Sequence, residues 1–391
     1  MKLRLPFSLC VLLAALLSLS WNFSNQDCSA EGQTYQLPQE SLTDLKNRDI
    51  KMPTLPSIEA MHWFNTGDTL NLKGKVVLVD FWDYTCVNCI RTLPYLKEWY
   101  GRYKDAGLVI LGVHSPEFEF AKKRENVMAA IQKFEIDYPV VMDNEFKIWD
   151  RFGNQYWPAK YLFDKGGTLR YIHFGEGGYG EFETMVQKLL EEANPDAKLP
   201  AVMEPIRATD VPGAVCYLTT PETYLGYARG SIGNKEGYSH NETVSYSEPG
   251  SIDKDKFYLV GKWDIEQQFV RYVGGDGLGD SISSRGKLII NYIAAEANLV
   301  IRPDFNSNPG RHDPFRVYVY QDGKPVAKED WSSDLRGDSD GRTYVTVDAA
   351  RMYYIIKNKN YGRHILTLQT TSDEFAAYAF TFVTACQTPS N

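Results

Sequence analysis

Two cysteines, Cys86 and Cys89, lie in a C-x-x-C spacing between an apolar run at 75–81 and a segment with helical periodicity at 87–105. The apolar run is typical of a buried parallel strand. We therefore expect Cys86 at the amino terminus of a helix, where free backbone N–H groups and the helix dipole favour an anion. The pKa of its thiol should then fall below the free value of about 8.5.

This spacing predicts dithiol–disulfide exchange. The Cys86 thiolate would attack a substrate disulfide to give a mixed disulfide, and Cys89, one helical turn later, would resolve it. The redox-active Cys86–Cys89 disulfide would supply all of the chemistry, so no cofactor is predicted. A zinc site built on this pair would need two more ligands, and the sequence contains no second C-x-x-C.

Two further features are expected beside the thiols. Asp80 closes the apolar strand six residues before Cys86. A carboxylate buried there would have a raised pKa and could accept the proton of the resolving thiol, whereas the alternative is a surface or capping aspartate. Trp157-Pro158 precedes a short predicted strand at 160–163. A cis bond before Pro158 would present the backbone to an extended substrate next to the thiols.

On these residues, the segment 58–193 resembles a thioredoxin-fold domain of the TlpA/redoxin branch. The matching positions are Asp80, Trp82, Cys86, Cys89, Pro94 and Pro158. The resemblance implies a thiol–disulfide oxidoreductase in which the first cysteine attacks and the second resolves.

The sequence also departs from the family at positions that tune the redox potential. Val87-Asn88 replaces the Gly-Pro of thioredoxin itself, and Thr85 replaces the tryptophan that usually precedes the first cysteine. The value of the potential therefore stays open. The residues expected to support the site are Trp82, Thr85, Val87, Asn88 and Trp157.

The chain from about 58 to 386 resembles the soluble region of DipZ-type disulfide proteins, in which a thioredoxin-like domain precedes a β-sandwich similar to carbohydrate-binding modules. The resemblance is carried by W-D-Y-T-C-V-N-C-I-R-T-L-P at 82–94, V-H-S-P-E at 113–117 and T-P-E-T-Y-L-G at 220–226. A predicted signal segment stands where that family has a membrane-embedded electron-transfer domain. The resemblance therefore implies a separate membrane electron donor of the CcdA/DsbD type, protein disulfides as substrates, and a glycan as a candidate ligand of the sandwich.

The elements that position the thiols follow a β-α-β-α-β-α-β-β-α order, which predicts an α/β thioredoxin fold with a mixed sheet flanked by helices. Later, short β-rich runs alternate with turn signals such as Asp322-Gly323, which predicts an all-β jelly-roll sandwich. The predicted organisation is a signal peptide or anchor at 1–30, an extended lead-in at 31–57, a thioredoxin-like domain at 58–193, a linker at 194–212 and a carbohydrate-binding-module-like β-sandwich at 213–391.

Composition and the amino terminus limit the classes of function. Of 391 residues, 43% are hydrophobic and 24% charged, which excludes disordered tails, collagen-like repeats and polytopic membrane proteins. The net charge of −8 argues against nucleic acid as a partner. Lys2 and Arg4 precede an apolar run at 7–19 that is shorter than the roughly 20 residues of a membrane span. This pattern predicts an export signal, cleaved or kept as an anchor, and an extracytoplasmic location, periplasmic or secreted.

Weaker patterns have simpler structural explanations. The G-x-G-x-x-G at 175–180 lacks the following strand of a dinucleotide site and predicts a turn. Acidic loops at 276–280 and 338–341 match no complete calcium loop, so turn chemistry is expected there. His114 and Glu117 follow a predicted strand and are expected to be structural.

The β-rich half carries two open questions. Trp263 and Trp331 could stack on sugar rings, although most aromatic residues of a β-sandwich belong to its core. Cys216 and Cys386 lie near the two ends of this half, and the sequence does not decide whether they form a disulfide.

Together these features predict an exported thiol–disulfide oxidoreductase that reduces protein disulfides. One alternative is an oxidase of protein disulfides. Another is a cell-envelope or glycan-binding adaptor with a secondary redox domain. A peroxidase fits less well, because such enzymes usually carry threonine or serine three residues before the reactive cysteine, where this chain has Asp83.

Overall fold

The computed structural model describes residues 51–52, 62–66, 70–274, 285–303 and 313–389. The predicted signal segment, Cys28 and the acidic loop at 276–280 lie outside the described residues. Within the described ranges, no helix combines the length and the apolar character needed to cross a bilayer.

In the first half of the chain, the part that the structure describes forms a mixed six-stranded sheet flanked by four α-helices. Its strands are β1 (Trp63–Phe64), β2 (Val76–Trp82), β3 (Leu108–His114), β4 (Val140–Met142), β5 (Ala159–Phe163) and β6 (Leu169–Phe174). Its helices are α1 (Val87–Tyr103), α2 (Arg124–Lys133), α3 (Lys147–Phe152) and α4 (Tyr179–Ala193). The strand order is β1-β4-β3-β2-β5-β6, with β2, β3 and β4 parallel and with β5 antiparallel to β2.

Strand β2 is the central element of this sheet and is buried at all seven residues. Its continuous hydrophobic character follows from having helices on both faces of the sheet, as the apolar run predicted. Because β2 leads directly into α1, the loop between them lies at the carboxyl end of the parallel strands. This is the end of the sheet at which α/β proteins place their sites.

In the second half, the described residues form an antiparallel sheet of eleven strands. The strands after β6 are β7 (Val215–Cys216), β8 (Thr223–Tyr224), β9 (Glu242–Tyr246), β10 (Phe257–Ile265), β11 (Val270–Tyr272), β12 (Gly286–Pro303), β13 (Phe315–Gln321), β14 (Lys324–Pro325), β15 (Leu335–Gly337), β16 (Thr343–Val347), β17 (Arg351–Thr370), β18 (Phe375–Val383) and β19 (Cys386–Gln387). Of these, β7 and β19 pair only with each other. The predicted all-β, antiparallel second half is confirmed.

Two long strands organise this sheet. Strands β12 and β17 pair from Gly286–Thr370 to Ile301–Arg351, and β12 pairs in addition with β10 and β18. The predicted hairpin turn joins β13 to β14, where Asp322 and Gly323 both have positive φ, 52° and 75°. Positive φ at both central residues is the requirement of a type I′ turn, which explains the Asp-Gly pair.

A single hydrophobic cluster contains residues from both halves. Phe118 and Phe120, which follow β3, contact Tyr378 of β18 with ring centroids 5.1 and 4.8 Å apart. All three side chains are buried. The α/β sheet and the β-rich part therefore share a core.

The segment predicted as a linker, 194–212, packs along the α/β half. The Tyr95 hydroxyl of α1 donates to Asp210 Oδ2 at 2.7 Å and accepts from the Ile206 N–H at 2.8 Å. The Met203 N–H donates to Glu183 Oε2 of α4 at 2.9 Å. These bonds hold the segment against two helices along its length.

Candidate functional site

The C-x-x-C lies at the start of α1. Cys86 is the amino-terminal cap of the helix, and its Sγ accepts the Cys89 N–H at 3.2 Å. Both thiols are free, and their sulfur atoms lie 2.6 Å apart. Cys86 is partly exposed, whereas Cys89 is only 1% exposed. An accessible thiol next to a buried one is the arrangement that attack from solvent and internal resolution require.

The pKa of Cys86 differs from the sequence expectation. Desolvation raises the pKa of the Cys86 thiol, although hydrogen bonds with Cys89 lower it, and the negative charges of Glu117 and Glu222 raise it further. The prediction of a lowered pKa is therefore wrong. The helix terminus is present as expected, but burial and the charges of two carboxylates from other parts of the chain raise the pKa.

Asp80 is buried, as predicted, and its charge acts on the Cys89 thiol. It lies in β2 between Gly112 of β3 and Lys160 of β5, and it is 1% exposed. Desolvation raises its pKa from 3.8 to about 7, against the opposing effect of the Lys160 ammonium. Asp80 Oδ1 has no hydrogen-bond partner among the described residues. The surface or capping alternative is thereby excluded.

Lys160 is a site residue that the sequence reasoning missed. Its side chain is fully buried, and Nζ donates to the Gly175 carbonyl at 3.1 Å. Burial lowers its pKa, while the charges of Asp80 and Cys89 raise it. The available signal was a lone lysine two residues after Pro158, inside an otherwise apolar strand.

Asp83 organises the loop in front of the helix. It accepts the backbone N–H and the hydroxyl of Thr85, both at 2.6 Å, and the Glu117 N–H at 2.8 Å. The buried His114 lies with Nε2 3.8 Å from Asp83 Oδ2. Burial lowers the pKa of His114 to about 3, so this imidazole is neutral. His114 and Glu117 thus lie beside the dithiol loop as part of its support.

The other predicted supporting residues also surround the loop. The bond between Trp157 and Pro158 is cis. The Trp157 indole donates to the Ser115 carbonyl at 3.0 Å, and the Pro158 carbonyl accepts the Gly175 N–H at 2.8 Å. Trp82 is fully buried. Between the cysteines, Val87 is buried and Asn88 is half-buried.

Several weaker sequence patterns are explained as structural features. The glycine-rich segment 175–180 is the turn between β6 and α4, where Gly175, Gly177 and Gly178 all have positive φ. In the acidic loop 338–341, Asp338 accepts from the Arg342 guanidinium at 2.9 Å. Across the described ranges, no three His, Cys, Asp or Glu side chains are grouped as metal ligands would be.

In the β-rich part, the structure answers the question of the disulfide and removes one of the two tryptophans as a candidate for sugar stacking. Trp263 is fully buried, so its ring cannot stack on a sugar. Trp331 is half-buried, and its indole donates to the Val326 carbonyl at 3.0 Å. Cys216 and Cys386 form a disulfide that joins β7 to β19.

Two known families match this chain, and the two matched regions correspond to its two sheets. Residues 53–172 match the AhpC/TSA family, and residues 220–382 match the family described as thioredoxin like C-terminal domain. The first match covers the dithiol loop and Asp80. The second covers the β-rich part from β8 to β18.

Similar proteins are known from several bacteria. Protein DipZ of Mycobacterium bovis is 37% identical over 280 residues, which is 70% of this chain and 37% of the relative. This chain thus spans well under half the length of the DipZ proteins that it matches. The solution structure of a thioredoxin-like protein in the oxidized form is 29% identical and covers 36% of this chain and 95% of that one, with a TM-score of 0.33.

A shorter relative is covered almost completely. Thiol-disulfide oxidoreductase YkuV of Bacillus subtilis is 31% identical over 143 residues, which is 36% of this chain and 95% of the relative. With a C-x-x-C at the start of α1 and a mixed sheet beneath it, this chain belongs to the family of thioredoxin-like thiol–disulfide oxidoreductases.

Proposed function

We propose that this chain is an exported oxidoreductase that reduces protein disulfides through Cys86 and Cys89. The observation that carries this proposal is the pair of free thiols 2.6 Å apart, one accessible and one buried, together with the buried carboxyl of Asp80. The half-exposed Cys86 is assigned the attack on substrate. The buried Cys89 is assigned the resolving step.

The exchange proceeds in two steps. The Cys86 thiolate attacks one sulfur of the substrate disulfide, and the other substrate sulfur leaves as a thiolate that takes up a proton from solvent. Cys89 then loses its proton and attacks Cys86 Sγ, which breaks the mixed disulfide and releases the second substrate sulfur. The substrate gains two electrons, and the chain is left with a Cys86–Cys89 disulfide.

Asp80 is assigned the role of proton acceptor for Cys89. Burial, the hydrogen bond with Cys86 and the charges of Cys86 and Asp80 all hold the pKa of Cys89 well above its ordinary value, so this thiol needs a base. With its pKa raised to about 7, Asp80 is partly ionised near neutral pH and can take up this proton. The ammonium of Lys160 keeps the pKa of Asp80 from rising further.

We assign the binding of substrate and of electron donor to the side of the loop at which Cys86 is partly exposed. We assign the backbone at Trp157 and Pro158 to docking of an extended substrate segment, with Thr85, Val87 and Asn88 setting the potential of the neighbouring dithiol. A separate membrane donor of the CcdA/DsbD type would return the disulfide to the dithiol. The location proposed for this cycle is extracytoplasmic, where substrate disulfides persist.

The reduction potential of the Cys86–Cys89 couple tests the direction. The protein is equilibrated with glutathione or dithiothreitol buffers, and the Cys86→Ser/Cys89→Ser double variant serves as the control. A potential near about −270 mV, as in thioredoxin, is the result expected of a reductase. A potential near about −120 mV, as in DsbA, would assign the chain to disulfide formation instead. A wild-type protein with no redox transition would contradict the oxidoreductase and favour an adaptor.

A further inference from the structure

The T-P-E-T-Y-L-G motif of the β-rich part contacts Glu117, which follows β3 and bonds to Asp83 of the dithiol loop. Tyr224 of β8 places its hydroxyl 2.7 Å from Glu117 Oε1 and 2.8 Å from Glu222 Oε2. The Arg229 guanidinium donates to the same Glu117 oxygen at 2.9 Å and covers the Tyr224 ring at 3.6 Å from its centroid. Two carboxyl groups from different halves of the chain thus meet at one phenol.

The number of protons at this junction is limited by chemistry. A phenol has one hydrogen, so Tyr224 can donate to only one of its two carboxyl neighbours. The second short contact requires a proton that belongs to the other carboxyl. Because Arg229 pairs with Glu117 and favours its ionised form, Glu222 is the group that carries this proton. In agreement, desolvation and the charge of Glu117 raise the pKa of the Glu222 carboxyl to about 7, although the residue as a whole is exposed.

This cluster connects to the thiol through short bonds. The Glu117 N–H donates to Asp83 Oδ2 at 2.8 Å, and the Cys86 N–H donates to the Asp83 carbonyl at 3.2 Å. A cavity of about 260 Å³ opens beside the cluster, lined by Glu117, Tyr224, Gly226, Ala228, Arg229, Gln267 and Gln268. The cluster therefore lies at a water-accessible edge of the dithiol site.

The charges that face the cluster come from several elements. The negative charge of Asp83 raises the pKa of both Glu117 and Glu222, and the positive charge of Arg229 lowers both. His114, the other titratable group beside Asp83, is neutral because burial lowers its pKa to about 3. Lys160 interacts electrostatically with Cys86 from strand β5. Burial raises the pKa of Glu117 and of Asp83 as well, and the charge of Arg229 opposes the shift of Glu117.

We propose that Tyr224 and Glu222 are positioning residues of the dithiol site, supplied by the β-rich part, which share one proton with Glu117 and thereby set the charge beside Cys86. Below neutral pH the shared proton is present, and the negative charge of Glu117 is balanced by the positive charge of Arg229. Above neutral pH Glu222 loses it, and the added negative charge suppresses the Cys86 thiolate. This inference rests on the proposed function only for the role of Cys86 as the attacking thiol.

The test measures thiol reactivity, which is independent of substrate reduction. Iodoacetamide alkylation of the reduced full-length chain is followed by mass spectrometry at the peptide that contains Cys86, at pH 5.5 and pH 8. Glu222→Gln keeps the protonated shape of the carboxyl and removes its charge. Glu329→Gln, at an exposed glutamate of the 3-10 turn Lys328–Asp330, is the matched control. Tyr224→Phe keeps the ring beneath Arg229 and removes only the shared hydroxyl.

The proposal expects a difference that depends on pH. Glu222→Gln should react about threefold faster than wild type at pH 8, the order expected on removing one nearby unit charge, and at the wild-type rate at pH 5.5. Tyr224→Phe should shift the pH at which Cys86 reactivity is suppressed, because the phenol that both carboxyl groups contact is lost. Equal rates for Glu222→Gln and wild type at both pH values would overturn the proposal, and so would an equal effect of Glu329→Gln. A normal redox transition in those same variants would show that the proposed function survives that failure.

Discussion

Replacing Asp80 by asparagine should stabilise the protein, and the gain should grow with pH. The pKa of Asp80 is raised from 3.8 to about 7 in the folded chain, so the folded state holds a proton that the unfolded state releases. Stability falls with pH wherever the folded state binds more protons, here between pH 3.8 and about 7. Because asparagine does not titrate, the unfolding free energy of the variant does not fall in this way as the pH rises.

The size of the effect follows from the pKa. One pKa unit corresponds to about 1.36 kcal/mol, so the wild-type chain loses about 4 kcal/mol of unfolding free energy once the pH exceeds both values. At pH 5 the loss is between about 1 and 2 kcal/mol. The advantage of Asp80→Asn should therefore increase by about 3 kcal/mol from pH 5 to pH 8.5.

Urea denaturation at the two pH values measures this difference. Asp105→Asn serves as the matched control because Asp105 is exposed in the turn after α1. Its stability should follow the wild-type pH dependence. Comparing two pH values cancels any pH-independent cost of burying an amide. If the advantage of Asp80→Asn were the same at both pH values, the buried carboxyl would not be protonated in the folded protein, and its assignment as proton acceptor would be refuted.

Three further outcomes are expected. Cys86→Ser should abolish turnover and Cys89→Ser should trap mixed disulfides with substrate, as seen on non-reducing gels; a Cys89→Ser variant with full dithiol activity would reverse the assigned roles. Replacing Cys216 and Cys386 by serine opens a disulfide with a sequence separation of 170 and should lower the unfolding free energy by up to about 5 kcal/mol in urea titrations, whereas an unchanged midpoint would exclude a structural role. Lys160→Met should raise the pKa of the buried carboxyl opposite it, measured by its 13C shift against pH; an unmoved titration would show that the ammonium does not act on it.

Local sequence determined the centre of the site because its parts are close in the chain. The apolar run before the C-x-x-C specified β2, and the helical periodicity after it specified α1. Asp80 is buried because it lies inside this apolar strand, two residues before its end. The Asp-Gly pair at 322–323 likewise fixed a hairpin through its own backbone requirements.

The parts that the sequence did not reveal depend on contacts across the fold. Lys160 reaches Asp80 only because β5 pairs with β2, 80 residues apart in the chain. The pKa of Cys86 was misjudged because helix position is a local property, whereas burial and the charges of Glu117 and Glu222 arise from distant segments. No pattern around the C-x-x-C contains information about those neighbours.

The hydrophobic cluster that joins the two halves has a consequence for dissecting this protein. A fragment that ended at 193 would expose Phe118 and Phe120 to water where Tyr378 now covers them. Large exposed aromatic surfaces promote aggregation. The redox half therefore cannot be transferred unchanged to another protein. A fusion protein would need a surface that covers Phe118 and Phe120 as β18 does, so a change at this contact in either half affects the other.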